Sequence, residues 1–165
     1  MTDPINISII SQSMLGTLDS KVVRLLMQNG RATWAELAQH LGLSAPAAAD
    51  RVHRLEERGV IRGYAALVDA EAAGYPLAAF VAVALDRPDR RQAFLKRIAA
   101  IPEVAECHHV SGDDDYLLKV RCRGTRDLDR LLLESLKTIP GVRTRTTIVL
   151  GTAKESVVIP LADPE

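Results

Sequence analysis

The sequence predicts an α+β protein in which an N-terminal helix-turn-helix unit, of the winged trihelical type, precedes a C-terminal ferredoxin-like βαββαβ unit. Two observations predict this architecture. Apolar residues recur at helical spacing from Leu18 to Gly63, whereas strand-like runs and helical stripes alternate after residue 77. In addition, the segment Ile101-Pro102-Glu103-Val104 recurs as Ile139-Pro140-Gly141-Val142, which indicates two copies of one helix-to-strand connection.

The first helix is predicted from its apolar stripe and its stop signal. The stripe begins at Leu18 and ends at the pair Asn29-Gly30, which favours helix termination. A second helix is expected to start at Thr33, because Thr33 and Glu36 form the Ser/Thr-x-x-Glu pattern of a capping box. Gly42 then supplies the left-handed conformation of a tight turn.

A third helix follows this turn. Ser44 is a suitable N-cap, and Pro46 falls in the first turn, where a missing backbone N–H costs nothing. The helix is predicted to run to about Arg58 and to end at Gly59. Residues 60–68 are then expected to be extended.

The wheel of the third helix separates an apolar arc from a basic one. At roughly 100° per residue, Ala48, Val52 and Leu55 face the core. The opposite arc is expected to project three arginines outward together: Arg51, Arg54 and Arg58. Arginine forms bidentate bonds with phosphate or guanine, which indicates contact with nucleic acid. A solvated helix face neutralised by Glu56 and Glu57 is the alternative interpretation.

The second half of the chain is predicted to contain four strands and two helices. The strands are expected at 78–85, 104–110, 116–122 and 142–150, and the helices at 89–101 and 125–138. The helices cover one face of such a sheet and leave the other bare, so we expect a homodimer that pairs these bare faces. Cys107 and Cys122 are interpreted as two buried thiols without chemistry.

Composition excludes several classes of protein. The 165 residues include 21 basic and 21 acidic side chains, and 47% are hydrophobic, which is typical of ordinary globular proteins. Charged residues or proline interrupt every long apolar stretch, and the first 16 residues make a poor signal peptide. We therefore expect no membrane span and a cytoplasmic location.

Five motifs of the first half together resemble the Lrp/AsnC, or feast/famine, transcriptional regulators. They are Gly30-Arg31-Ala32-Thr33, Glu36-Leu37-Ala38, Gly42-Leu43-Ser44, Arg51-Val52-x-Arg54-Leu55-Glu56 and Gly59-Val60-Ile61-x-Gly63-Tyr64. The resemblance continues through Glu106-Cys107-His108, 110–118 and 136–142, so it covers about residues 17–152. It implies a sequence-specific regulator that binds double-stranded DNA, dimerises through its sheet, assembles to tetramers or octamers, and responds to a small effector, usually an amino acid.

Candidate DNA-binding residues lie on the third helix and around the turn before it. They are Arg31, Thr33, Ser44, Ala45, Pro46, Ala47, Asp50, Arg51, Arg54 and Arg58. The reading end of the third helix, 45–50, has few side chains that form hydrogen bonds. This favours recognition through phosphate contacts, contacts of alanine with thymine methyl groups, and DNA bendability.

The acidic turn 111–115 suggests two kinds of site. Beside His108 and His109 its aspartates could bind a metal, but alternation along a strand places the two histidines on opposite faces, so no metal is assigned. The resemblance instead implies an effector pocket between neighbouring dimers. Its candidate residues are His109, Gly112, Asp113, Asp115, Tyr116 and Ser135.

Two other classes of function remain as alternatives. One is an enzyme on the same two-domain plan, such as a siroheme-decarboxylase-like protein, although no acid, base or nucleophile pattern supports it and no cofactor is expected. The other is a protein-interaction module. The predicted divisions of the chain are an N-terminal tail (1–16), a helix-turn-helix domain (17–63), a linker strand and hinge (64–76), a βαββαβ effector and oligomerisation domain (77–152) and a C-terminal tail (153–165).

Overall fold

A computed structural model of the protein describes residues 15–161. Most of the predicted N-terminal tail lies outside these residues. Within them the chain forms two compact units: residues 15–66 together with 155–161 make the first, and Leu67–Lys154 makes the second. Among the described residues, no helix has the length and apolar character needed to cross a membrane.

Three helices build the first unit, as the sequence predicts. They are α1 (Thr17–Gln28), α2 (Trp34–Leu41) and α3 (Ala45–Glu57). Gly42 ends α2 with φ 66°, in the left-handed region, so the chain turns sharply between α2 and α3. The Ser44 side chain accepts a hydrogen bond from the Ala47 N–H at 3.3 Å and caps α3. This confirms the predicted helix-turn-helix.

The capping box at the start of α2 is also confirmed. The Thr33 hydroxyl accepts from the Glu36 N–H at 3.3 Å, and the Glu36 carboxylate accepts from the Thr33 N–H at 2.7 Å. The hydrogen bond from the Thr33 backbone holds the pKa of Glu36 below its ordinary value. Two N–H groups that lack partners inside the helix are thereby satisfied.

Thr33→Ala is expected to lower the free energy of unfolding of the first unit by about 0.5–2 kcal/mol, because the hydroxyl acceptor is lost. Chemical denaturation followed by circular dichroism measures this. Gln39→Ala is the matched control, since Gln39 is an exposed residue of the same helix. If both variants unfolded at the same denaturant concentration, the cap would contribute nothing to stability.

A small apolar core holds the three helices together. Its buried side chains come from all three: Val22, Val23, Leu37, Ala38, Ala48, Val52 and Leu55. Ile61 and Leu161, which lie outside the helices, also pack against this cluster. Residues 60–68 form no strand within the described chain, and Leu67 and Val68 are largely exposed. A strand needs a partner to pair with, and a single chain does not supply one here.

The second unit contains the predicted four-stranded sheet. Its strands are β1 (Leu77–Leu85), β2 (Val104–His109), β3 (Tyr116–Cys122) and β4 (Val142–Ile148). They lie in the order β2-β3-β1-β4, and every neighbouring pair is antiparallel. With a helix between β1 and β2 and another between β3 and β4, this is the ferredoxin-like arrangement.

Both helices of this unit are shorter than the sequence predicts. Pro88–Arg90 forms a 3₁₀ turn, and α4 then spans only Arg91–Ile98. The α-helix therefore begins after Asp89 and ends before Ile101, the two predicted limits. The second helix, α5 (Thr125–Arg130), continues as a π-helical turn over Leu131–Leu136 and ends before Thr138. The widened turn is not visible in the apolar spacing.

The repeated Ile-Pro segments serve the role that their recurrence predicts, since each connects a helix to a strand. Ile101 and Ile139 are both buried in the core of the second unit. Gly141 has φ 73°, and a side chain there would collide with Asp86 and Arg90. The Asp86 N–H donates to the Gly141 carbonyl at 2.9 Å, so the ends of β1 and β4 are joined at this point.

The two faces of the sheet differ as expected. Facing the helices, Phe94 of α4 packs with alternate residues of the central strands, among them Val81, Val83 and Leu118. The other face carries the remaining residues of β1, which are Ala78, Phe80, Ala82 and Ala84. The three alanines are buried, at 9% exposure or less, whereas Phe80 is 38% exposed. No helix of this unit covers Phe80.

Candidate nucleic-acid interface and ligand site

Helix α3 presents one face to the core and the other to solvent. Ala48, Val52 and Leu55 have no exposed surface, whereas Asp50 and Arg54 are exposed. This confirms the predicted orientation of the helix. Helix α3 follows the tight turn at Gly42 and has an exposed face. In helix-turn-helix proteins the helix at this position lies in the DNA major groove.

The sequence predicts that the three arginines of this face project outward together, and this prediction is wrong. Arg51 Nη1 lies 2.6 Å from Asp19 Oδ1 of α1, and Arg58 Nη1 lies 3.2 Å from Asp19 Oδ2. Arg54 pairs instead with Asp50, one turn earlier on α3, at 2.7 Å. The difference arises because Arg51 sits at the border of the core arc, where the Asp19 carboxylate draws it toward α1.

Exposure separates these arginines further. The side chain of Arg54 is 58% exposed, compared with 47% for Arg58 and 30% for Arg51. Asp19 itself is only 15% exposed, so one shielded carboxylate holds two guanidinium groups in fixed positions. Arg54 therefore has the most exposed side chain of the three. The guanidinium groups of Arg51 and Arg58 are held by Asp19 before any partner binds.

The hydroxyls before α2 and α3 already have structural roles. The Thr33 hydroxyl belongs to the capping box, and the Ser44 oxygen accepts from the Ala47 N–H. The Ser44 hydroxyl keeps its own proton to donate. Arg31 is exposed, and its backbone N–H donates to the side chain of Asn29 at 3.1 Å.

Two contacts beside this face of α3 were not predicted from the sequence. The rings of Trp34 and His53 lie 5.8 Å apart, joining the start of α2 to α3. The Tyr64 hydroxyl donates to Glu56 Oε1 at 2.9 Å, and burial together with this carboxylate raises the pKa of Tyr64 to about 12. Trp34 could have indicated the first of these contacts from the sequence, because a large aromatic side chain in the first turn of a helix usually packs against a neighbouring residue.

The acidic turn is held largely by its own chain. The Leu85 N–H donates to Asp115 Oδ2 at 2.7 Å, and the Asp115 N–H donates to the Val83 carbonyl at 2.8 Å. Asp114 pairs with Arg145 of β4 at 2.7 Å. Asp113 and Gly112 are exposed, and Gly112 has φ 122°. Two of the three aspartates thus have structural partners, and Asp113 is the one turned to solvent.

Tyr116 belongs to the core rather than to the surface of the turn. It is 2% exposed, and its ring lies 4.9 Å from that of Phe94 and 5.3 Å from that of His109. Its hydroxyl is buried and makes no direct hydrogen bond within the described part of the chain, and burial raises the pKa of this group, an effect that the nearby Arg91 opposes. His108 lies on the other face of β2 and contacts Glu106 at 2.9 Å, so the predicted separation of the two histidines is confirmed.

Ser135 is half-buried on the π-helical turn that ends shortly before β4. β4 begins beside the end of β1, and β3 begins there as well, so Ser135 and the acidic turn lie toward the same end of the sheet. Among the described residues, no hydrogen bond joins Ser135 to residues 112–116. An open cavity of about 540 Å³ lies at the opposite end of β3, between Arg123 and Arg130.

The cysteines and the possible metal ligands can also be placed. Cys122 is buried as predicted, but Cys107 is exposed because β2 is an edge strand. Burial raises the pKa of Cys122 to about 11, and partial desolvation by its neighbours also raises the pKa of the exposed Cys107, which disfavours the reactive thiolate at both positions. In the part of the chain that the structure describes, no three His, Cys, Asp or Glu side chains come together as metal ligands.

Comparison with known families matches both units of the chain. Residues 15–62 match the family described as "Winged helix-turn-helix DNA-binding". Residues 78–159 match the family described as "Lrp/AsnC ligand binding domain". The two matches together span most of the chain. The DNA-binding match precedes the ligand-binding match, which is the order that the sequence predicts.

Full-length relatives are similar over most of their own length. The chain is 44% identical over 138 residues to the HTH-type transcriptional regulator LrpA of Mycobacterium tuberculosis, covering 84% of this chain and 91% of that one. It is 40% identical over 145 residues to the leucine-responsive regulatory protein of Haemophilus influenzae, covering 86% and 87%.

Solved structures share the fold as well. A transcriptional regulator from Neisseria meningitidis, in complex with L-Met, superposes with a TM-score of 0.85 at 31% identity and covers 90% of this chain and 97% of its own. A feast or famine regulatory protein from M. tuberculosis, complexed with L-methionine, gives a TM-score of 0.82 at 41% identity and covers 88% and 98%.

Proposed function

This chain belongs to the Lrp/AsnC family of transcriptional regulators, and we propose that it binds operator DNA through α3 and the turn before it while its sheet unit senses an amino acid. The observation that carries the DNA-binding part is the exposed face of α3, which follows a capped helix and a tight turn and carries the exposed Arg54. The family match over both units supports the combination of the two activities.

Phosphate contacts provide most of the affinity for DNA. Arg54 reaches furthest into solvent, and a phosphate oxygen takes the place of the Asp50 carboxylate beside it. Arg51 and Arg58 are held by Asp19 at the same edge of α3. The remaining candidate residues at this surface are Arg31, Thr33, Ser44, Ala45, Pro46 and Ala47. The small side chains at 45 and 47 suit contacts with thymine methyl groups and recognition of DNA shape.

The effector is an α-amino acid bound at the acidic turn. Two solved relatives contain L-methionine, which supports this class of ligand. Asp113 pairs with the ammonium group, because its carboxylate is exposed, and Gly112 allows close approach of the ligand to the backbone. Asp115 and Tyr116 position the turn from beneath, since the first is hydrogen-bonded to Leu85 and the second is buried. His109 and Ser135 complete the set.

A neighbouring dimer completes this pocket. The acidic turn and Ser135 are not joined by a hydrogen bond within the described chain, and ligand pockets usually enclose most of their ligand. The protein forms a homodimer through the face of the sheet that carries Phe80, and the dimers assemble further to tetramers or octamers in which the acidic turns of neighbouring dimers meet. It acts in the cytoplasm as a regulator without catalytic activity, as its relatives are named transcriptional regulators.

Asp113→Ala is expected to weaken amino-acid binding at least tenfold, because the carboxylate that pairs with the ammonium group is removed. Isothermal titration of the twenty amino acids, beginning with L-methionine, measures this. Asp129→Ala is the matched control, since it removes an equally exposed carboxylate from α5. A wild-type protein that binds none of the twenty, or an Asp113→Ala variant that binds as well as the control, rejects the site.

Selection of duplexes from a random pool, followed by gel-shift titration at several salt concentrations, tests the DNA-binding part directly. The affinity of the selected duplex is expected to fall steeply with salt, as several phosphates are neutralised per dimer. A protein that selects no duplex would have to act as an interaction module instead.

A further inference from the structure

The chain passes between its two units twice. It leaves the first unit after Ala66, builds the whole sheet unit, and returns to the first unit at Glu155. Residues 155–161, here called the return segment, follow β4 after the short connection 149–154 and belong to the same compact unit as the three helices. The sequence predicts only a tail at this position.

Leu161 anchors the return segment. It is half-buried and packs against the apolar cluster of α1, α2 and α3. The residues before it are different, since Val157, Val158 and Ile159 are 66%, 49% and 61% exposed. Burial within the segment is thus concentrated at its last described residue. A local turn, in which the Ser156 oxygen accepts from the Val158 N–H at 3.1 Å, shapes the approach.

The receiving core is small enough for one side chain to matter. Seven buried residues hold three short helices, and two of the seven are alanines. A trihelical unit of this size buries little apolar surface, so additional anchors contribute substantially to its stability. Leu161 provides such an anchor from the end of the chain that is farthest from α1 in sequence.

We propose that the return segment is a positioning element for the DNA-binding unit, with Leu161 as the residue that attaches it. A unit joined by one linker can rotate about that linker, whereas a unit attached at two points is restricted. Because the second attachment begins at β4, the sheet unit constrains the recognition helix through two segments of chain. This restricts the distances at which a dimer can place its two copies of α3 on DNA.

The experiment compares four proteins with the wild type. A chain that stops at Lys154 and the variant Leu161→Asp remove the anchor. Leu161→Met keeps an apolar side chain of similar volume, and Ile159→Asp places the same charge on an exposed position of the same segment. Hydrogen exchange of the α1 and α3 amides reports on the stability of the unit. Removal of the anchor is expected to accelerate this exchange about tenfold, and the other two variants are expected to resemble the wild type.

The second measurement separates positioning from stability. Each protein is titrated against a duplex selected by the wild type, and against versions in which the half-sites are moved apart by about one to five base pairs, up to roughly half a helical turn. The wild type, Leu161→Met and Ile159→Asp are expected to lose affinity steeply as the spacing changes. The two anchorless proteins are expected to lose at least threefold less.

The outcomes are distinct. Equal exchange rates and equal spacing penalties in Leu161→Asp and Ile159→Asp would overturn the proposal. Faster exchange with an unchanged spacing penalty would also overturn it, because Leu161 would then stabilise the unit without positioning it. The inference rests on the proposed binding of DNA, whose failure would be recognised separately, since the wild type would then select no duplex.

Discussion

Replacing Arg54 by alanine is expected to weaken DNA binding by about a hundredfold or more. A single arginine contact with phosphate or base is worth roughly 1–3 kcal/mol, and a dimer loses two copies at once. If the contact is to phosphate, the slope of log affinity against log salt should also fall by about two per dimer. Fluorescence anisotropy of a labelled operator at four salt concentrations measures both quantities.

Asp50→Asn and Arg87→Ala are the controls for this experiment. Asp50 is the carboxylate partner of Arg54, so removing its charge frees the guanidinium for DNA and should maintain or raise affinity. Arg87 is similarly exposed but lies in the sheet unit, where it pairs with Asp89. Its replacement should leave affinity unchanged. An Arg54→Ala protein that binds like Arg87→Ala would remove Arg54 from the interface.

Arg51→Ala should weaken DNA binding as well, but with a second consequence. Arg51 shares the shielded Asp19 carboxylate with Arg58, so its loss leaves that carboxylate with one partner. We therefore expect a lower melting temperature in addition to lower affinity. If neither Arg51→Ala nor Arg54→Ala changed the affinity at fixed salt, α3 would not be the recognition helix.

The helix-turn-helix could be predicted from the sequence because its signals are local. The capping box joins Thr33 and Glu36, and the cap of α3 joins Ser44 and Ala47, in each case three positions apart. Gly42 needs only its own backbone freedom to form the turn. Local hydrogen bonds of this kind do not depend on which other parts of the chain are nearby.

The partners of the charged residues could not be predicted in the same way. Asp19 meets Arg51 and Arg58 across 32 and 39 positions, and Asp115 meets the Leu85 amide across 30. No spacing rule connects residues so far apart, because tertiary packing decides which carboxylate meets which donor. The sequence therefore indicates a candidate helix face and a candidate turn, but it does not show that several of their charges are already paired.

The proposed ligand site is the part of the protein that is least complete in a single chain. Its proposed residues lie toward one end of the sheet, yet the open cavity beside Arg123 is at the other end of β3. A pocket that is completed by a second copy leaves no enclosed volume in a single copy. A second copy could likewise supply a pairing strand to residues 60–68, whose backbone pairs with no strand of the described residues and whose apolar side chains Leu67 and Val68 are exposed. Both features lead back to the way in which two copies meet.

Phe80→Asp is expected to convert the dimer to a monomer. Phe80 lies on the bare face of the sheet, among small alanines and opposite Lys119 and Thr147. Phe80 is 38% exposed, so the dimer buries only this part of a side chain whose full burial contributes about 1.5–3 kcal/mol. In contrast, Phe80→Asp would place an unpaired carboxylate in the interface of each copy, at a further cost on the order of several kcal/mol. The dissociation constant then rises about a thousandfold. The monomer should stay folded, because the new carboxylate faces solvent across from Lys119.

Light scattering coupled to size exclusion measures this change, with the wild type at twice 18.0 kDa or a higher multiple and the variant at 18.0 kDa. Phe80→Leu keeps an apolar side chain at the same point and should retain the dimer. Leu133→Asp adds the same charge at a position that is 49% exposed on the helical side of the unit, and it should retain at least the dimer mass. A folded Phe80→Asp protein with wild-type mass would show that the bare face is not the dimer interface. Circular dichroism verifies that the variant is folded, and because the two copies of α3 are then no longer linked, its operator affinity should fall with its mass.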